Sequence, residues 1–196
     1  KSIELNPHHA QAHNNLGNAY KAINKSEEAM ASYKKAIEIK ADYAEPYYNL
    51  GGYYRDLGKN EEAIKWYNKA VQLDPEYAEA YNNLGNTCYD LNRTEDALIS
   101  IKKAIKLNPN YVESYYNLGI VYYRSNKNEE AIVSYKKAIQ LKPDYAKAYH
   151  NLSIVYFHKK QYKIAIQYFD QAKALGSIDP VLSDALKPYR ENDENG

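Results

Sequence analysis

Cysteine, tryptophan and methionine are almost missing from this chain of 196 residues, which contains one of each. The single cysteine, Cys88, excludes a disulfide within the chain and leaves the redox compartment open. An excess of one charge is also missing, because 26 lysines and arginines face 25 aspartates and glutamates. That balance produces no field that would favour nucleic acid or an anionic membrane. No apolar run approaches the roughly 20 residues that a membrane-spanning helix needs.

Residue patterns that carry catalysis or bind metals are missing too. The chain has no phosphate-binding glycine loop and no His-Glu-x-x-His pair. His9 and His13 lie four residues apart and could share a helix face. His150 and His158 lie eight residues apart, about two helical turns, and could also share a face. Neither pair has an evident third ligand, so we predict no metal site. We expect a protein without enzymatic activity and without a cofactor.

The most regular feature that is present is the tripeptide Asn-Leu-Gly. It begins at Asn15, Asn49, Asn83 and Asn117, and it returns at Asn151 as Asn-Leu-Ser. Successive starts are 34 residues apart. A fixed period of this size is typical of a repeat array, in which each unit buries its apolar face against its neighbours.

Each repeat has the pattern of two helices joined by a turn. In residues 44–77, Gly58 interrupts the helical pattern and favours the end of the first helix. Asn60 is placed to cap the second helix, whose first turn is acidic. Asp74 followed by Pro75 is typical of a cap and the first position of the next helix.

Small residues recur between the apolar residues of both helices. Gly51 lies inside the first helix of its repeat, where glycine costs about 1 kcal/mol relative to alanine. Glycine returns at this slot in the first four repeats, which predicts that a neighbouring helix passes too close for a side chain. We expect the facing contacts to be the alanines of the second helices: Ala29, Ala63, Ala97, Ala131 and Ala165.

These slots resemble the motif of the tetratricopeptide repeat. In the second repeat the motif is filled by Tyr47, Leu50, Gly51, Tyr54, Ala63, Tyr67, Ala70 and Pro75. The third repeat departs from it with Cys88 and Ile101 in the two aromatic slots, which indicates a buried thiol rather than a nucleophile. The resemblance implies an all-α solenoid of antiparallel helix pairs. It further implies a right-handed superhelix in which the first helices line a concave groove.

The period and the resemblance together divide the chain. We expect residues 1–9 to be the end of a truncated preceding repeat, so that the chain is part of a longer array. Beyond residue 177, Val181, Leu182 and Leu186 follow the apolar spacing of a helix that could cover the last repeat. The expected units are five repeats at 10–43, 44–77, 78–111, 112–145 and 146–177, a capping helix at 178–190 and a polar tail at 191–196.

The asparagine before each leucine is the strongest functional signal: Asn15, Asn49, Asn83, Asn117 and Asn151. Asparagine is a mediocre helix former, so helix propensity does not explain five of them in one slot. The family geometry places the slot in the groove, where an amide can both donate to and accept from the backbone of an extended peptide. The row resembles the asparagine ladder in the tetratricopeptide array of the O-linked N-acetylglucosamine transferase. The alternative is that each asparagine bonds only an adjacent helix, and the two roles are compatible.

Acidic residues flank the ladder in its middle repeats: Glu45, Glu79, Glu113, Asp56 and Asp90. They favour a ligand that contains lysine or arginine. For the glutamates, favourable interaction with the helix dipole is an equally good explanation. Basic residues at Arg55, Arg124 and Lys147 make the groove mixed rather than uniformly acidic.

Most of the 23 tyrosines fall on repeat slots and are predicted to lie in the core. Four do not fit these slots and should lie on or beside the groove wall: Tyr48, Tyr116, Tyr89 and Tyr123. There they either anchor a ligand or pack between repeats, and the sequence leaves both roles open.

Together these features indicate non-catalytic recognition of a protein or peptide segment, without a nucleic acid or membrane partner. Two alternatives are self-association through exposed repeat faces and service as the substrate-recruiting arm of a larger enzyme. The family's other known ligand, the C-terminal tail of a chaperone, is not expected. The slot for its lysines contains Asn14, Tyr48, Asn82, Tyr116 and His150 instead.

Overall fold

The protein was analysed as a computed structural model, which describes residues 9–191. The described chain forms two compact units that divide between Asn108 and Pro109. Both units consist of helices and short turns, and residues 9–191 contain no strand. The predicted all-α helical repeat solenoid is therefore confirmed.

The N-terminal unit contains three helix pairs within its described residues. The helices are α1 (Ala10–Ala22), α2 (Ser26–Ile39), α3 (Ala44–Asp56), α4 (Asn60–Leu73), α5 (Ala78–Asp90) and α6 (Thr94–Leu107). The C-terminal unit contains two further pairs and one more helix. Its helices are α7 (Val112–Arg124), α8 (Asn128–Leu141), α9 (Ala146–His158), α10 (Tyr162–Ala174) and α11 (Pro180–Glu191). The expected end of an earlier repeat and the expected polar tail fall outside the described residues, apart from His9 and Glu191.

The turn inside each helix pair contains one residue in the left-handed conformation. Gly58 has a φ of +70° and follows the C-cap residue Leu57 of α3, so it ends that helix as predicted. The equivalent residues in the other pairs are Asn24, Asn92, Asn126 and Lys160. Asparagine tolerates this conformation better than most residues with a side chain, which explains its use at three of these positions.

Two predicted helix starts are wrong. Asn60 is the first residue of α4 rather than its cap, and the cap residue Lys59 makes no side-chain hydrogen bond. Pro75 precedes α5, which begins only at Ala78. The Asp74 carboxylate accepts a hydrogen bond from the Glu76 N–H at 3.0 Å, so Asp-Pro begins a turn instead of the helix.

Glycine at the Asn-Leu-Gly slot allows the closest approach between the two helices of a pair. A methyl group at Gly51 would lie 2.5 Å from the Tyr67 ring of α4. The same clash, at 2.4 to 2.6 Å, would arise at Gly17, Gly85 and Gly119. The prediction of a close helix is confirmed, but the expected partner is wrong. The facing group is a large side chain of the second helix, whereas the alanines contribute only Ala97 O at Gly85.

In the last helix pair a serine occupies the glycine slot. Ser153 replaces glycine, is fully buried, and donates a hydrogen bond to the Ala165 carbonyl at 2.7 Å. A small polar side chain therefore fits where the second helix offers an acceptor.

The core of each unit follows the predicted slots. In the N-terminal unit Tyr33, Leu50 and Tyr67 are fully buried, and Cys88 is 3% exposed in the slot where other repeats carry an aromatic residue. In the C-terminal unit one continuous core extends from α8 into α11, where Leu182 and Leu186 are buried.

The end of the C-terminal unit is closed by α11. The Asp179 carboxylate accepts a hydrogen bond from the Leu182 N–H at 3.0 Å, which caps this helix. The apolar pattern predicted Val181 on the covered face, but Val181 is 81% exposed. The helix therefore buries a narrower stripe than the sequence indicated.

We predict that the two adjacent glycines of α3 respond to alanine in opposite directions. Gly51→Ala should lower the free energy of unfolding by about 1–3 kcal/mol, because its methyl group overlaps the Tyr67 ring. Gly52→Ala should raise it by about 0.5–1 kcal/mol, because its methyl group lies at 3.5 Å or more from neighbouring side chains and alanine favours the helix. Urea unfolding followed by circular dichroism measures both variants, and equal shifts would contradict the packing argument.

Candidate functional site

The candidate site lies on the side of the first helices that carries the repeated asparagines. In the N-terminal unit we call this side of α1, α3 and α5 the asparagine face, defined by Asn15, Asn49 and Asn83. Each asparagine precedes a leucine that packs inward, and Leu50 and Leu84 are buried. The helical register therefore holds Asn49 and Asn83 at the border of the core, where both are half-buried.

Asn49 is held in place by the first helix pair. Its amide donates a hydrogen bond to Asn14 Oδ1 at 2.9 Å. Asn14 is 1% exposed, and its own amide donates to Glu45 Oε2 at 3.3 Å. The Tyr43 hydroxyl donates to the same carboxylate oxygen at 2.5 Å. A chain of polar contacts therefore joins α1 to α3 across the asparagine face.

Asn83 is held in a similar way by a tyrosine. Its amide donates a hydrogen bond to the Tyr48 hydroxyl at 2.9 Å. Asn82 is 3% exposed and lies 3.4 Å from Asn83 Oδ1 through its amide nitrogen. Asn49 and Asn83 thus both bond the residue that lies 35 positions earlier, which is a contact between successive repeats.

The other asparagines of the slot have different surroundings. Asn15 is exposed. In the C-terminal unit the Asn151 amide donates to the Tyr135 hydroxyl at 3.3 Å, and Asn117 is half-buried and interacts with a neighbour. The five asparagines therefore share a slot in the sequence but not one pattern of bonds.

The acidic residues around the asparagine face are not equivalent. The Glu45 carboxylate accepts hydrogen bonds from Tyr43 and Asn14. The Asp56 carboxylate lies 3.3 Å from Lys21 Nζ. Glu79 is exposed, and its negative charge adds to the effect of burial in raising the pKa of Tyr48. Partners within the protein thus occupy two of these carboxylates.

The remaining acidic residues differ in their electrostatics. Burial raises the pKa of Asp90, and the positive charge of Arg55 opposes this rise. In the C-terminal unit Glu113 is exposed and contributes, after burial and Tyr116, to the pKa of Tyr145, which is raised to about 12. Arg55 makes no ion pair within residues 9–191, so its interaction with Asp90 is at longer range.

The four tyrosines outside the repeat slots are divided between packing and exposure. The Tyr48 ring lies 4.9 Å from the Tyr77 ring and 5.8 Å from the Tyr67 ring. In the C-terminal unit the Tyr116 ring lies 5.3 Å from the Tyr145 ring and 5.9 Å from the Tyr135 ring. Tyr48 and Tyr116 therefore pack between successive helix pairs.

Tyr89 lies near the end of α5, and Tyr123 lies near the end of α7. Both are half-buried, and the Tyr123 ring lies 6.2 Å from His158. Tyr89 also has a partner among the described residues. These contacts leave part of each ring at the surface.

The structure adds residues that the sequence reasoning missed. The sequence pattern marks Asn14 and Asn82 only as residues in the slot of the chaperone-binding lysines. Both are buried polar groups, and they contact Asn49 and Asn83 respectively. The Tyr67 hydroxyl is buried and has no hydrogen-bond partner among the described residues. The sequence contained one signal for it: a second glycine, Gly52, inside the same helix as Gly51.

The histidines have structural surroundings rather than a shared metal geometry. His9 Nδ1 accepts a hydrogen bond from the Ala12 N–H at 3.1 Å and caps α1, and His150 Nε2 lies 3.5 Å from Asp179. Among residues 9–191 no three His, Cys, Asp or Glu side chains are grouped to hold a metal ion. Burial raises the pKa of the Cys88 thiol. None of the helices in the described part of the chain has the length and apolar character needed to span a membrane.

We predict that the bond from Asn49 to Asn14 stabilises the fold. Asn49→Ala should lower the free energy of unfolding by about 1–2 kcal/mol relative to Asn15→Ala, because it leaves the buried Asn14 oxygen without its donor. Asn15→Ala is the matched control, since Asn15 is exposed and the gain in helix propensity is the same for both. Equal urea midpoints for the two variants would show that the Asn49–Asn14 bond does not contribute.

Comparison with known proteins identifies the repeats. Models described as TPR repeat match residues 17–52, 53–92, 85–126 and 121–160. Models described as tetratricopeptide repeat match residues 1–31 and 146–176. No curated protein matches the chain.

Solved structures extend the similarity to the whole fold. MamA, known from a crystal structure, is 31% identical in sequence to this chain. The match covers 82% of this chain and 94% of MamA, with a TM-score of 0.74. The crystal structure of YrrB is described as that of a TPR protein with an unusual peptide-binding site. YrrB is 26% identical to this chain, the match covers 95% of this chain and 96% of YrrB, and the TM-score is 0.74. PilF of Pseudomonas aeruginosa shares the fold at 24% identity. The match covers 94% of this chain and 86% of PilF, with a TM-score of 0.86. The family models cover most of the chain, which therefore belongs to the tetratricopeptide repeat family.

Proposed function

We propose that this protein is a non-catalytic interaction scaffold that binds an extended peptide or protein segment along its asparagine face. The observation that carries the proposal is the half-buried state of Asn49 and Asn83. A side-chain amide has two N–H donors and one acceptor oxygen. Asn49 uses one N–H within the protein, whereas Asn83 uses one N–H and also accepts from the Asn82 amide at 3.4 Å. The internal bond fixes the direction of the amide, and the remaining groups are available to a ligand.

An extended peptide is the ligand that best fits this chemistry. Its backbone repeats one donor and one acceptor per residue, which is what a row of fixed amides can bind. Because the internal bonds hold the asparagines before binding, little side-chain entropy is lost on binding. The similarity to YrrB, whose structure is described as having a peptide-binding site, supports the same class of ligand.

The charge on the asparagine face favours lysine or arginine in the ligand, but by less than the sequence implies. Glu45 and Asp56 already have partners, so Glu79 and Asp90 supply the available negative charge in the N-terminal unit. Glu113 would supply it in the C-terminal unit. We therefore propose one or two cationic residues in the peptide rather than a strongly basic segment.

The aromatic residues would contribute contact area beside the repeated asparagines of their own unit. Tyr48 and Tyr116 are held by neighbouring rings, whereas Tyr89 and Tyr123 have part of each ring at the surface. A fixed aromatic side chain binds an apolar ligand group with little loss of entropy.

Self-association is the second candidate, and exposed apolar residues favour it. Ile99 on α6 is 69% exposed, and Val133 on α8 is 68% exposed at the equivalent position. Both lie on second helices, away from the repeated asparagines. Such residues at the surface are compatible with an interface but are also common singly on soluble proteins. The substrate-recruiting arm of a larger enzyme is a further form of the first proposal, because it would use the same face.

We predict that random-peptide display on this protein will recover binders that depend on the asparagine face. Replacement of Asn49 and Asn83 together by alanine should weaken the recovered peptides at least tenfold, because two amides that bond the peptide backbone are lost. Isothermal titration calorimetry measures the affinities, and circular dichroism checks that the variant is folded at the assay temperature.

Asn68→Ala is the matched control for this experiment. Asn68 lies exposed on α4, a second helix, so the same substitution there should leave the affinity unchanged. Peptides that bind the double variant as tightly as the unchanged protein would rule out the asparagine face. A protein that yields no peptide, and whose mass in light scattering rises with concentration, would favour self-association instead.

A further inference from the structure

The second glycine of α3 has no packing reason to be glycine. Gly51 faces the Tyr67 ring so closely that only hydrogen fits, but a methyl group at Gly52 would make ordinary contacts. The nearest atoms would be Lys21 Nζ at 3.5 Å and the Tyr67 hydroxyl at 3.8 Å. Gly52 thus lowers helix propensity by about 1 kcal/mol relative to alanine and leaves a space that the fold does not require.

A buried polar atom lies at the bottom of this space. Tyr67 is fully buried, and its hydroxyl is the one side-chain oxygen or nitrogen atom among the described residues that is buried without a hydrogen-bond partner. Asn83 is close enough to interact with it, yet the Asn83 amide donates to Tyr48 instead. A buried hydroxyl without a partner costs about 1–3 kcal/mol, so its persistence in a folded protein requires an explanation.

The first helix pair shows what is absent at Tyr67. The equivalent tyrosine, Tyr33, donates a hydrogen bond from its hydroxyl to Asn18 Oδ1 at 2.8 Å. Asn18 lies 34 residues before Gly52, so the two occupy the same slot in successive repeats. Glycine in place of asparagine therefore removes the amide oxygen that satisfies this hydroxyl in the first repeat.

We propose that the space above Gly52 is a subsite in which the Tyr67 hydroxyl donates a hydrogen bond to an amide oxygen of the bound peptide. The inference rests on the proposed function, because it places one group of the same peptide. The amide oxygen is either a main-chain carbonyl or the side-chain carbonyl of an asparagine or glutamine. Both reproduce the acceptor that Asn18 supplies to Tyr33.

The charges around the subsite favour a neutral acceptor over a carboxylate. Lys21 is paired with Asp56 at 3.3 Å, and Arg55 interacts with Asp90. Lys21, the cation nearest the Gly52 position, is therefore already paired with a carboxylate of the protein, and the interaction of Arg55 with Asp90 is at longer range. A ligand carboxylate would have to enter beside those two acidic groups, whereas an amide oxygen carries no such penalty.

The subsite also lies next to the asparagine face. The Tyr48 ring lies 5.8 Å from the Tyr67 ring, and the Tyr48 hydroxyl accepts the hydrogen bond from Asn83. A peptide whose backbone is bonded to Asn83 would thus place a neighbouring amide group within reach of Gly52. The subsite would fix the register of a backbone that the asparagines alone would bind at any position.

The test uses peptides selected on the unchanged protein and three variants. Tyr67→Phe should weaken binding about fivefold, the effect of one neutral hydrogen bond, without lowering the urea midpoint of the free protein. Tyr33→Phe is the matched control. It should lower the urea midpoint of the free protein and leave peptide affinity unchanged, because the Tyr33 hydroxyl is already bonded to Asn18. Gly52→Asn should fill the space with an internal acceptor, raise the midpoint and weaken binding.

Peptide variants identify the source of the oxygen. If the effect of Tyr67→Phe disappears when one Asn or Gln of the peptide is replaced by alanine, the acceptor is that side chain. If the effect persists in every such peptide, the acceptor is a main-chain carbonyl. Either result supports the subsite, whereas coupling to an Asp or Glu of the peptide contradicts a neutral acceptor.

Three further results would overturn the inference. Peptides that depend on Asn49 and Asn83 but bind Tyr67→Phe normally would reject the subsite and keep the proposed function. A midpoint for Tyr67→Phe that falls as far as that for Tyr33→Phe would show that the hydroxyl is already bonded in the free protein. The absence of any binding peptide would reject the proposed function and this subsite with it.

Discussion

The structure depends on the contact between a glycine of the first helix and a large side chain of the second, which recurs in the first four helix pairs. At Gly51 the Tyr67 ring occupies the volume that any side chain would need, and the pairs Gly17–Tyr33 and Gly119–Tyr135 repeat this contact. The contact sets the distance between paired helices. It also brings the tyrosine hydroxyl to polar side chains of the first helices, as in the bond from Tyr33 to Asn18, so one residue serves both packing and a polar contact.

What happens to that hydroxyl distinguishes one repeat from another. Tyr33 donates to Asn18, Tyr135 accepts from Asn151, and the buried Tyr67 hydroxyl has no hydrogen-bond partner in the described part of the chain. The repeated asparagines vary in the same way, since Asn49 bonds Asn14 whereas Asn83 bonds Tyr48. A uniform backbone thus presents a non-uniform row of polar groups. Internal bonds and ligand binding are not exclusive roles, because each amide has more groups than its internal partner uses.

Much of the fold could be predicted from the sequence, because period and packing are local properties. The 34-residue spacing, the glycine slot and the turn at Gly58 each follow from steric requirements that recur in every repeat. The helix starts were wrong at Asn60 and Pro75, because Asn60 already lies inside α4 and the Asp74 carboxylate bonds the turn at Glu76 rather than the first turn of α5. The second glycine, Gly52, is the one sequence signal of the buried Tyr67 hydroxyl, whose lack of a partner within residues 9–191 depends on how side chains from different helices meet. The binding of a peptide backbone by the repeated asparagines stays a prediction.

The central claim is that the amides of Asn49 and Asn83 contact a bound peptide backbone, and side-chain amide signals in nuclear magnetic resonance test it most directly. Protein labelled with ¹⁵N at asparagine would be titrated with a display-selected peptide. Our account predicts that the side-chain NH₂ signals of Asn49 and Asn83 shift in proportion to occupancy, while that of Asn68 does not move. Shifts confined to residues of the second helices, with the Asn49 and Asn83 signals unchanged at saturation, would contradict it.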